Sequence, residues 1–324
     1  MKAAFYEHTG PARAVLQVAE LDRPEPGPGQ VRVRVAVSGI NPTDVKARDG
    51  SVPRPIEGFQ IPHHDGVGTI DAVGDGVKAS RIGQRVWVWF AAAGSRFGTA
   101  AQWTIVPEQQ AVALPDGVSD DLAASLGVPA MTAHRCLFAD GPLDTTMTVL
   151  VSGGAGAVGH FAIQLARRAG AWVISTVSGE EKAKLACAAG AQEVVNYHNT
   201  GAAEQIRAAT PRLDRIIEVA LAANLAMDVA LAGPDTTIVC YAAGPTDPTL
   251  PVRACMSANL TLRFVLLYGV PRPALLRATA DLTAALADGA LTALPTRHFP
   301  LAEIASAHEA VESGFTGKVV LDLP

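Results

Sequence analysis

The stretch VSGGAGAVGHF, residues 151–161, constrains the fold of this chain more than any other segment. It contains four glycines among the seven residues 153–159. The β-branched apolar run TMTVLV precedes the glycines, and FAIQLARRAG, with apolar residues at helical spacing, follows them. This order predicts a strand, a tight loop and a helix, with a loop backbone that another group approaches closely.

Three of the glycines, Gly154, Gly156 and Gly159, fit the spacing G-x-G-x-x-G. In a dinucleotide-binding unit the first glycine makes the turn and the second lets a pyrophosphate approach the backbone. The third lets the helix pack closely against the strand. The phosphates then lie at the helix N-terminus, here at Ala157 and Val158. The motif therefore predicts dinucleotide binding, and the alternative is an ordinary tight strand–helix turn.

The composition limits the other possibilities. A chain of 324 residues suggests about two domains, and 49% hydrophobic with 5% aromatic residues is typical of a soluble α/β protein. The net charge of −5 offers no basic field for nucleic acid or an acidic membrane. No apolar run reaches the length of a membrane helix, and no signal-peptide core follows Met1. We expect a cytoplasmic protein with neither nucleic-acid nor membrane partners.

The pattern of short strands and helices changes along the chain. The first third is rich in β-branched and alternating runs, the middle third alternates strands with helices, and the end is mixed. The sequence therefore predicts an α/β protein with a doubly wound parallel-sheet domain at residues 127–264. This domain is inserted into a β-rich domain formed by residues 1–126 and 265–324.

The residues after the second predicted strand of the inserted domain indicate which nucleotide binds. A site for NAD usually has an acidic residue there, which holds the ribose hydroxyls. This chain has Ser178, with Lys182 one helical turn later, and the two could bind a 2′-phosphate by a hydrogen bond and a point charge. We therefore expect NADPH. Glu180 or Glu181 would favour NADH if its carboxylate turned inward, but in the first turn of a helix both are expected to face water.

Four cysteines, Cys136, Cys187, Cys240 and Cys255, are too scattered for a paired metal site. Each lies in an apolar or helical segment, so we expect all four to be buried as small hydrophobic residues.

Several motifs in order resemble one family. They are GINPTDVKARDG (39–50), HHDGVGTIDAVGDGV (63–77), GVPAMTAHRCL (127–137), the glycine loop, AGAQEVVNY (189–197), IIEVALAANL (216–225) and AHEAVESGFTGKVVL (307–321). The chain resembles the zinc-free quinone oxidoreductase branch of the medium-chain dehydrogenase/reductase superfamily, over essentially its whole length. The resemblance implies a GroES-like catalytic domain, a Rossmann domain, NADPH in the cleft between them, and hydride transfer to a quinone or another α,β-unsaturated carbonyl.

The resemblance also implies roles for individual residues. The nicotinamide end would be lined by Asn41 and Thr132. The adenosine 2′-phosphate would be held by Ser178, Lys182 and Tyr197. The nicotinamide ribose would be flanked by Ala220, Phe264 and Leu266, and Lys318 would close over the cofactor. Thr132 and Tyr197 could instead be helix-cap or packing residues, and Lys318 a solvated charge.

A zinc site is not expected. In the zinc-dependent relatives a cysteine, a histidine and a further cysteine or acid bind the metal, and their positions here hold Asn41, His64 and the region of Val128. One possible ligand is too few. The run His63, His64, Asp65 could still supply a proton, or its histidines could be purely structural.

Two alternative functions and one assembly state follow from the same residues. A 2-enoyl-thioester reductase shares the fold and cofactor but usually needs a tyrosine acid, and no tyrosine lies between Tyr6 and Tyr197. A non-catalytic NADPH-binding protein would not need Asn41, Thr132 and the glycine loop together. The apolar run at residues 259–269 predicts a strand at a sheet edge, and relatives pair such edges in a homodimer. The run WVWF at residues 87–90 could be an apolar pocket wall or a core strand.

Overall fold

The computed structural model describes residues 1–324, which form two compact units. The first unit comprises Met1–Pro129 and Ala293–Pro324, and the second comprises Ala130–Thr292. The expected breaks followed residues 126 and 264. Residues 265–292 depart from that expectation, because they belong to the second unit and not to the β-rich one.

The strands are numbered in chain order. They are β1 (Lys2–Phe5), β2 (Gln17–Glu20), β3 (Gln30–Ile40), β4 (Asp65–Val73), β5 (Arg85–Val88), β6 (Trp103–Pro107), β7 (Ala111–Ala113), β8 (Thr148–Ser152), β9 (Trp172–Val177), β10 (Glu193–Asn196), β11 (Arg215–Glu218), β12 (Thr237–Cys240), β13 (Thr261–Phe264), β14 (Thr296–Pro300) and β15 (Lys318–Asp322).

The α-helices follow the same order. They are α1 (Ala12–Val15), α2 (Pro42–Asp49), α3 (Asp120–Ala123), α4 (Met131–Phe138), α5 (Ala157–Arg168), α6 (Glu180–Ala188), α7 (Ala202–Ala209), α8 (Leu221–Leu231), α9 (Val252–Ser257), α10 (Arg272–Ala287) and α11 (Ile304–Glu312). None of them combines the length and the apolar character needed to span a membrane.

The first unit is built on a largely antiparallel sheet with the order β14-β15-β3-β4-β5-β7. β3 is long enough to pair with β6 along its first half and with β15 along its second half. In this register Ile40 lies opposite Val319, and Gly39 lies opposite Asp65. The end of β3 and the starts of β4 and β15 therefore meet at one place, which positions the polar residues described below.

The second unit is a six-stranded, wholly parallel sheet with the order β10-β9-β8-β11-β12-β13. This is the doubly wound arrangement of dinucleotide-binding domains, in which ligands bind where the strand order reverses. The reversal lies between β8 and β11. The predicted fold class, a β-rich domain with a Rossmann-type domain, is confirmed.

The strands of the second unit are apolar along their length, because helices cover both faces of the sheet. Every residue of β8 and β11 is buried, and Leu150, Ile174, Ile216 and Ile238 belong to one apolar core. The core holds the strand ends in fixed positions, so the loops that follow them form a defined surface.

Two local expectations need correction. Cys136 and Cys240 are buried and Cys255 is half-buried, but Cys187 is exposed on α6. The apolar run at residues 259–269 contributes only the four-residue strand β13. β13 does lie at the sheet edge, and Phe264 and Leu266 expose 68% and 71% of their surface there.

Candidate functional site

The glycine loop follows β8 and leads into α5, as predicted. The structural roles of the individual glycines differ from those expected. The turn is made by Gly153, whose φ of +70° favours glycine. Gly154, expected to make the turn, instead lies against β9. A Cβ on Gly154 would come within 2.0 Å of Ser175 Oγ and 2.7 Å of Ile163 Cδ1. Gly154 is therefore needed for close packing.

The other two glycines open the start of α5. A Cβ on Gly159 would come within 2.4 Å of the Gly153 carbonyl oxygen, so Gly159 allows the helix to approach the loop as predicted. A Cβ on Gly156 would meet only that same oxygen, at 3.3 Å. Gly156 is the N-cap of α5, and no side chain caps the helix. The amides of Ala157 and Val158 are thus available to bind an anion at the helix N-terminus.

Three predicted residues lie together beyond the end of β9. Lys182 Nζ donates to Ser178 Oγ at 3.0 Å. The amide of Tyr197 donates to the Val177 carbonyl at 3.1 Å, which places Tyr197 beside Ser178. The Tyr197 ring is 44% exposed. A hydroxyl, an ammonium group and an accessible phenol ring therefore share the position where a site for NAD has a carboxylate.

The two glutamates that could have opposed a 2′-phosphate face solvent. The side chains of Glu180 and Glu181 are 87% and 85% exposed. Both interact with Lys184, at 3.8 Å and 2.7 Å. Neither carboxylate turns toward Ser178.

A buried carboxylate lies behind the point where the strand order reverses. Ser152 Oγ donates to Glu218 Oε2 at 2.7 Å, and Asn224 Nδ2 lies 3.1 Å from both Glu218 oxygens. The amide of Ala220 also donates to Glu218. Burial and the Glu218 charge raise the pKa of the nearby Asp228 to about 8. This network holds Ala220 at the start of α8.

The remaining predicted residues of the second unit are separate from these groups. Thr132 lies on α4 and is buried. Phe264 and Leu266 lie at and just beyond the end of β13, where both are exposed.

In the first unit, Asn41 forms a polar cluster with Lys318 and Asp65. Lys318 Nζ donates to Asn41 Oδ1 at 2.7 Å, and Asn41 Nδ2 donates to Asp65 Oδ2 at 2.8 Å. The Val128 amide lies 2.9 Å from both Asp65 oxygens. Lys318 is only 3% exposed, so its ammonium is not a solvated charge.

The titration of this cluster follows from burial. Burial and the Asp65 charge raise the pKa of Asp44 to about 7. Burial raises the pKa of Asp65 to about 6, although the Lys318 charge and its bonds from Asn41 and Val128 oppose the rise. Burial lowers the pKa of Lys318, while the two carboxyl groups oppose this. The positive charge of Lys318 thus offsets most of the negative charge on the buried carboxyl groups of Asp44 and Asp65.

A chain of neutral side chains runs beside the cluster. His63 Nδ1 lies 2.9 Å from Ser38 Oγ, which lies 2.7 Å from Thr99 Oγ1. Thr99 donates to the Asp65 carbonyl at 2.6 Å. His63 Nε2 lies 2.9 Å from His308 Nε2. Because Thr99 has one proton, Ser38 donates to Thr99, His63 donates to Ser38, and His308 donates to His63.

His64 Nε2 accepts a hydrogen bond, so this nitrogen is not the one that could supply a proton. Arg54 Nη1 lies 3.0 Å from His64 Nε2, and a guanidinium can only donate, so this nitrogen carries no proton. Burial and the Arg54 charge lower the pKa of His64 to about 3. Its imidazole is therefore neutral throughout the physiological range.

His64 also lines a small pocket of the first unit. Tyr6, Asp44, Arg54 and Gln60 contribute other polar groups to its wall. Of the WVWF run, Trp87 is fully buried in β5, whereas the Phe90 ring stands edge-on to His64 at 6.1 Å. The run is thus mainly core, and only its last residue reaches this region.

The residues at the position of a zinc site do not fit zinc. A catalytic zinc needs three protein ligands, usually thiolate, imidazole or carboxylate. Here His64 Nε2 accepts from Arg54, Asp65 accepts from Asn41 and Val128, and Asn41 Oδ1 accepts from an ammonium group. The positive charges of Arg54 and Lys318 already occupy the positions from which these groups would have to bind zinc.

Two family profiles match the chain. The profile described as alcohol dehydrogenase GroES-like domain matches residues 27–116, and that described as zinc-binding dehydrogenase matches residues 157–284. The rat quinone oxidoreductase is 30% identical over 325 aligned positions, which cover 98% of this chain and 95% of the rat protein. This chain belongs to the quinone oxidoreductase family. The predicted family and the prediction of an oxidoreductase are confirmed.

Solved structures agree with this membership. A mycobacterial protein in complex with NADPH is 29% identical, with a TM-score of 0.86 and 99% of each chain covered. An NAD-dependent alcohol dehydrogenase is 25% identical, with a TM-score of 0.90 and full coverage of both chains. The NADPH complex of the mycobacterial protein agrees with the predicted cofactor. Because the fold is also shared by an NAD-dependent protein, the residues near Ser178 are the ones that distinguish the two coenzymes in this member of the family.

Sequence reasoning missed three residues of the first unit. Asp44 follows Asn41 by three positions, and its Oδ2 accepts a hydrogen bond from the backbone amide of Asn41 at 2.8 Å. This N-cap to N3 spacing could have indicated its place. Arg54 lies in a loop ten positions before His64, and His308 lies in α11, 245 positions after His63. No local pattern could have found them.

Proposed function

We propose that this protein transfers hydride from NADPH to a quinone or another α,β-unsaturated carbonyl, without a metal ion. The observation that carries the proposal is the group formed by Ser178, Lys182 and Tyr197 at the end of β9. The nearby carboxylates of Glu180 and Glu181 face solvent and not this group. The acceptor class is inferred from relatives such as the rat quinone oxidoreductase. The first unit supplies polar groups suited to a carbonyl oxygen.

NADPH, when bound to the second unit, supplies the hydride from its nicotinamide ring. The amides at the start of α5 bind its phosphates, and Ser178 with Lys182 binds the 2′-phosphate. In the first unit, Lys318 and Asp65 engage opposite ends of the Asn41 amide. This fixes the orientation of the amide and leaves one Nδ2 hydrogen to donate to the oxygen of an acceptor. The proton that completes the reduction comes from solvent or from a weak acid.

Coenzyme preference tests the nucleotide part of this proposal. Lys182→Met removes one charge-assisted contact, worth about 1.5–3 kcal/mol, and should raise the KM for NADPH by about 10- to 100-fold. The KM for NADH should stay unchanged. Lys184→Met is the matched control, because Lys184 contacts only the exposed glutamates among charged groups. Equal effects on NADPH and NADH would reject the 2′-phosphate site.

Reduction of a 2-enoyl thioester is a second candidate. The sequence offered no tyrosine acid near the site, but the structure places Tyr6 in the wall of the pocket. Burial and the Asp44 charge raise the pKa of Tyr6 to about 12. Crotonyl-CoA is the substrate that tests this candidate, and faster turnover of it than of quinones would favour it.

We also propose that two copies pair along β13 as a cytoplasmic homodimer. β13 is an unpaired sheet edge, and edge strands that carry exposed apolar residues are normally covered.

A further inference from the structure

The segment that joins β11 to α8 lies beside the glycine loop of the second unit. A Cβ added at Gly153 would lie 3.3 Å from Val219 Cγ1, so Val219 packs directly on the loop. Val219 is half-buried and Ala220 is exposed, and both follow β11 at the point where the strand order reverses. Ligands of doubly wound domains bind at that point. The position of this segment therefore affects any coenzyme bound at the glycine loop.

The conformation of the segment depends on Glu218, the last residue of β11. Its side chain is fully buried and accepts hydrogen bonds from Ser152 Oγ at 2.7 Å and from the Ala220 amide. Asn224 Nδ2 lies 3.1 Å from both carboxylate oxygens. No side chain caps the start of α8, so the bond from the Ala220 amide to Glu218 is the contact that fixes where this helix begins.

A second buried carboxyl group, that of Asp228, lies near Glu218. Asp228 is fully buried on α8, and neither of its oxygens receives a hydrogen bond. A carboxylate without donors is costly in such a place, and burial and the Glu218 charge raise the pKa of Asp228 to about 8. Asp228 is therefore mostly neutral at pH 7 and mostly ionised at pH 9.

The other ionisable groups around Asp228 belong to β12, the residue after it, and α7. Burial raises the pKa of Cys240 and of Tyr241, and the Glu218 charge adds to both increases. The charged residues of α7 form an exposed ion pair between Glu204 and Arg207. Glu218 is thus the buried charge that acts most directly on Asp228.

We propose that Glu218 and Asp228 are positioning residues of the coenzyme site, which act through the backbone of Val219 and Ala220. This inference rests on the proposed function, in which the phosphates of NADPH bind at the start of α5. While Asp228 is neutral, the Asn224 amide bonds to Glu218 alone. Asn224 lies one helical turn before Asp228 on the same face of α8. An ionised Asp228 competes for this donor, repels Glu218 and weakens its bond to the Ala220 amide.

The effect should be the same for NADPH and NADH. Val219 packs against Gly153 of the glycine loop, which both coenzymes would use, whereas Ser178 and Lys182 would bind only the 2′-phosphate. The affinity for either coenzyme should therefore fall as the pH rises through about 8. This common loss separates the positioning role from the selection of NADPH.

The test is the Kd of NADPH and of NADH, measured by fluorescence titration at pH 7 and pH 9. With wild type both Kd values should rise about fivefold, since roughly one charge-assisted hydrogen bond is lost over this range. Asp228→Asn keeps the shape of the side chain but cannot ionise, so its Kd values should differ by less than about twofold between the two pH values. Glu218→Gln offers the donors one acceptor oxygen and not two, and should raise both Kd values about 10-fold already at pH 7.

Asp247→Asn is the matched control, because Asp247 is an exposed residue of the same unit, and it should keep the wild-type pH dependence. Should Asp228→Asn not fold, the wild-type profile and Glu218→Gln test the inference without it.

Wild-type Kd values that are equal at pH 7 and pH 9 would overturn the inference, as would an Asp228→Asn variant with the wild-type change. A change for NADPH alone would assign the pH dependence to the 2′-phosphate site and would overturn it too. These results leave the proposed function intact. A wild-type protein that binds neither coenzyme would overturn both.

Discussion

At the scale of single residues, His63 shows how the protein tolerates local strain. Its φ of +79° is a left-handed conformation that residues other than glycine rarely adopt. The cost is of order 1–3 kcal/mol, and it is offset by the bond that His63 donates to Ser38 and the bond that it accepts from His308. Because His63 precedes His64 and Asp65, the strained residue fixes the backbone that presents both.

The pair formed by His63 and His308 makes the fold sensitive to acid. Burial and the Arg48 charge lower the pKa of His308 to about 3. Burial and the charges of His308, Lys318 and His64 lower that of His63. The folded state therefore binds fewer protons than the unfolded state below pH 6.5, so stability falls as the pH falls from about 6.5 toward 3. The raised pKa values of Asp44 and Asp65 act in the opposite direction.

His308→Gln should weaken this dependence. At pH 5 a histidine that stays neutral when folded costs about 2 kcal/mol, from 1.5 pH units at ~1.36 kcal/mol each. The free energy of unfolding, measured in urea at pH 7 and pH 5, should thus fall by about 2 kcal/mol less in this variant than in wild type. His8→Gln, at an exposed position, is the control. A variant with the full wild-type loss would show that the fold does not lower the pKa of His308.

Which residues could be predicted depended on sequence distance. Ser178 and Lys182 are only four positions apart, on either side of the start of α6, so their proximity followed from the sequence. Lys318 and Asn41 are 277 positions apart, and their bond depends on the pairing of β3 with β15. Arg54 and His64 also meet only through tertiary packing.

At the scale of elements, the predicted strand, loop and helix around the glycines are present. The β-branched run before the loop and the helical spacing after it are local sequence signals, and the structure has the strand and the helix that they predict. The exchange of roles between Gly153 and Gly154 could not be predicted, because both lie in the same short loop. The choice depends on Ser175 and Ile163, which pack against one of them.

β13 provides the prediction that belongs to this scale. The amides of Thr261 and Val265 donate to carbonyls of and beside β12, so by alternation the amide of Leu262 faces outward. Leu262→Pro removes that donor without removing a bond to β12. Light scattering should give twice the 33.6 kDa chain mass for wild type and a single chain mass for this variant.

Leu262→Ala is the control for this experiment, since it shortens the side chain and keeps the amide. It should remain dimeric. A wild-type protein of single chain mass would reject the homodimer, and a dimeric Leu262→Pro variant would reject pairing along β13.

At the scale of the whole molecule, the sequence predicted two domains and the insertion of one in the other. The second break was wrong because α10 packs against α4 in the second unit. The sequence pattern of an amphipathic helix indicates that one face is buried, but it does not indicate which neighbouring element covers that face. Only the three-dimensional packing assigns residues 265–292.

The central claim is that NADPH reduces quinones or enones here without a metal ion. We would measure NADPH and NADH oxidation by the purified protein with ortho-quinones, para-quinones, enones and crotonyl-CoA, each with and without a chelator. The account predicts turnover of quinones or enones that prefers NADPH and is unchanged by the chelator. Activity that the chelator abolishes, or equal use of NADH, would contradict it.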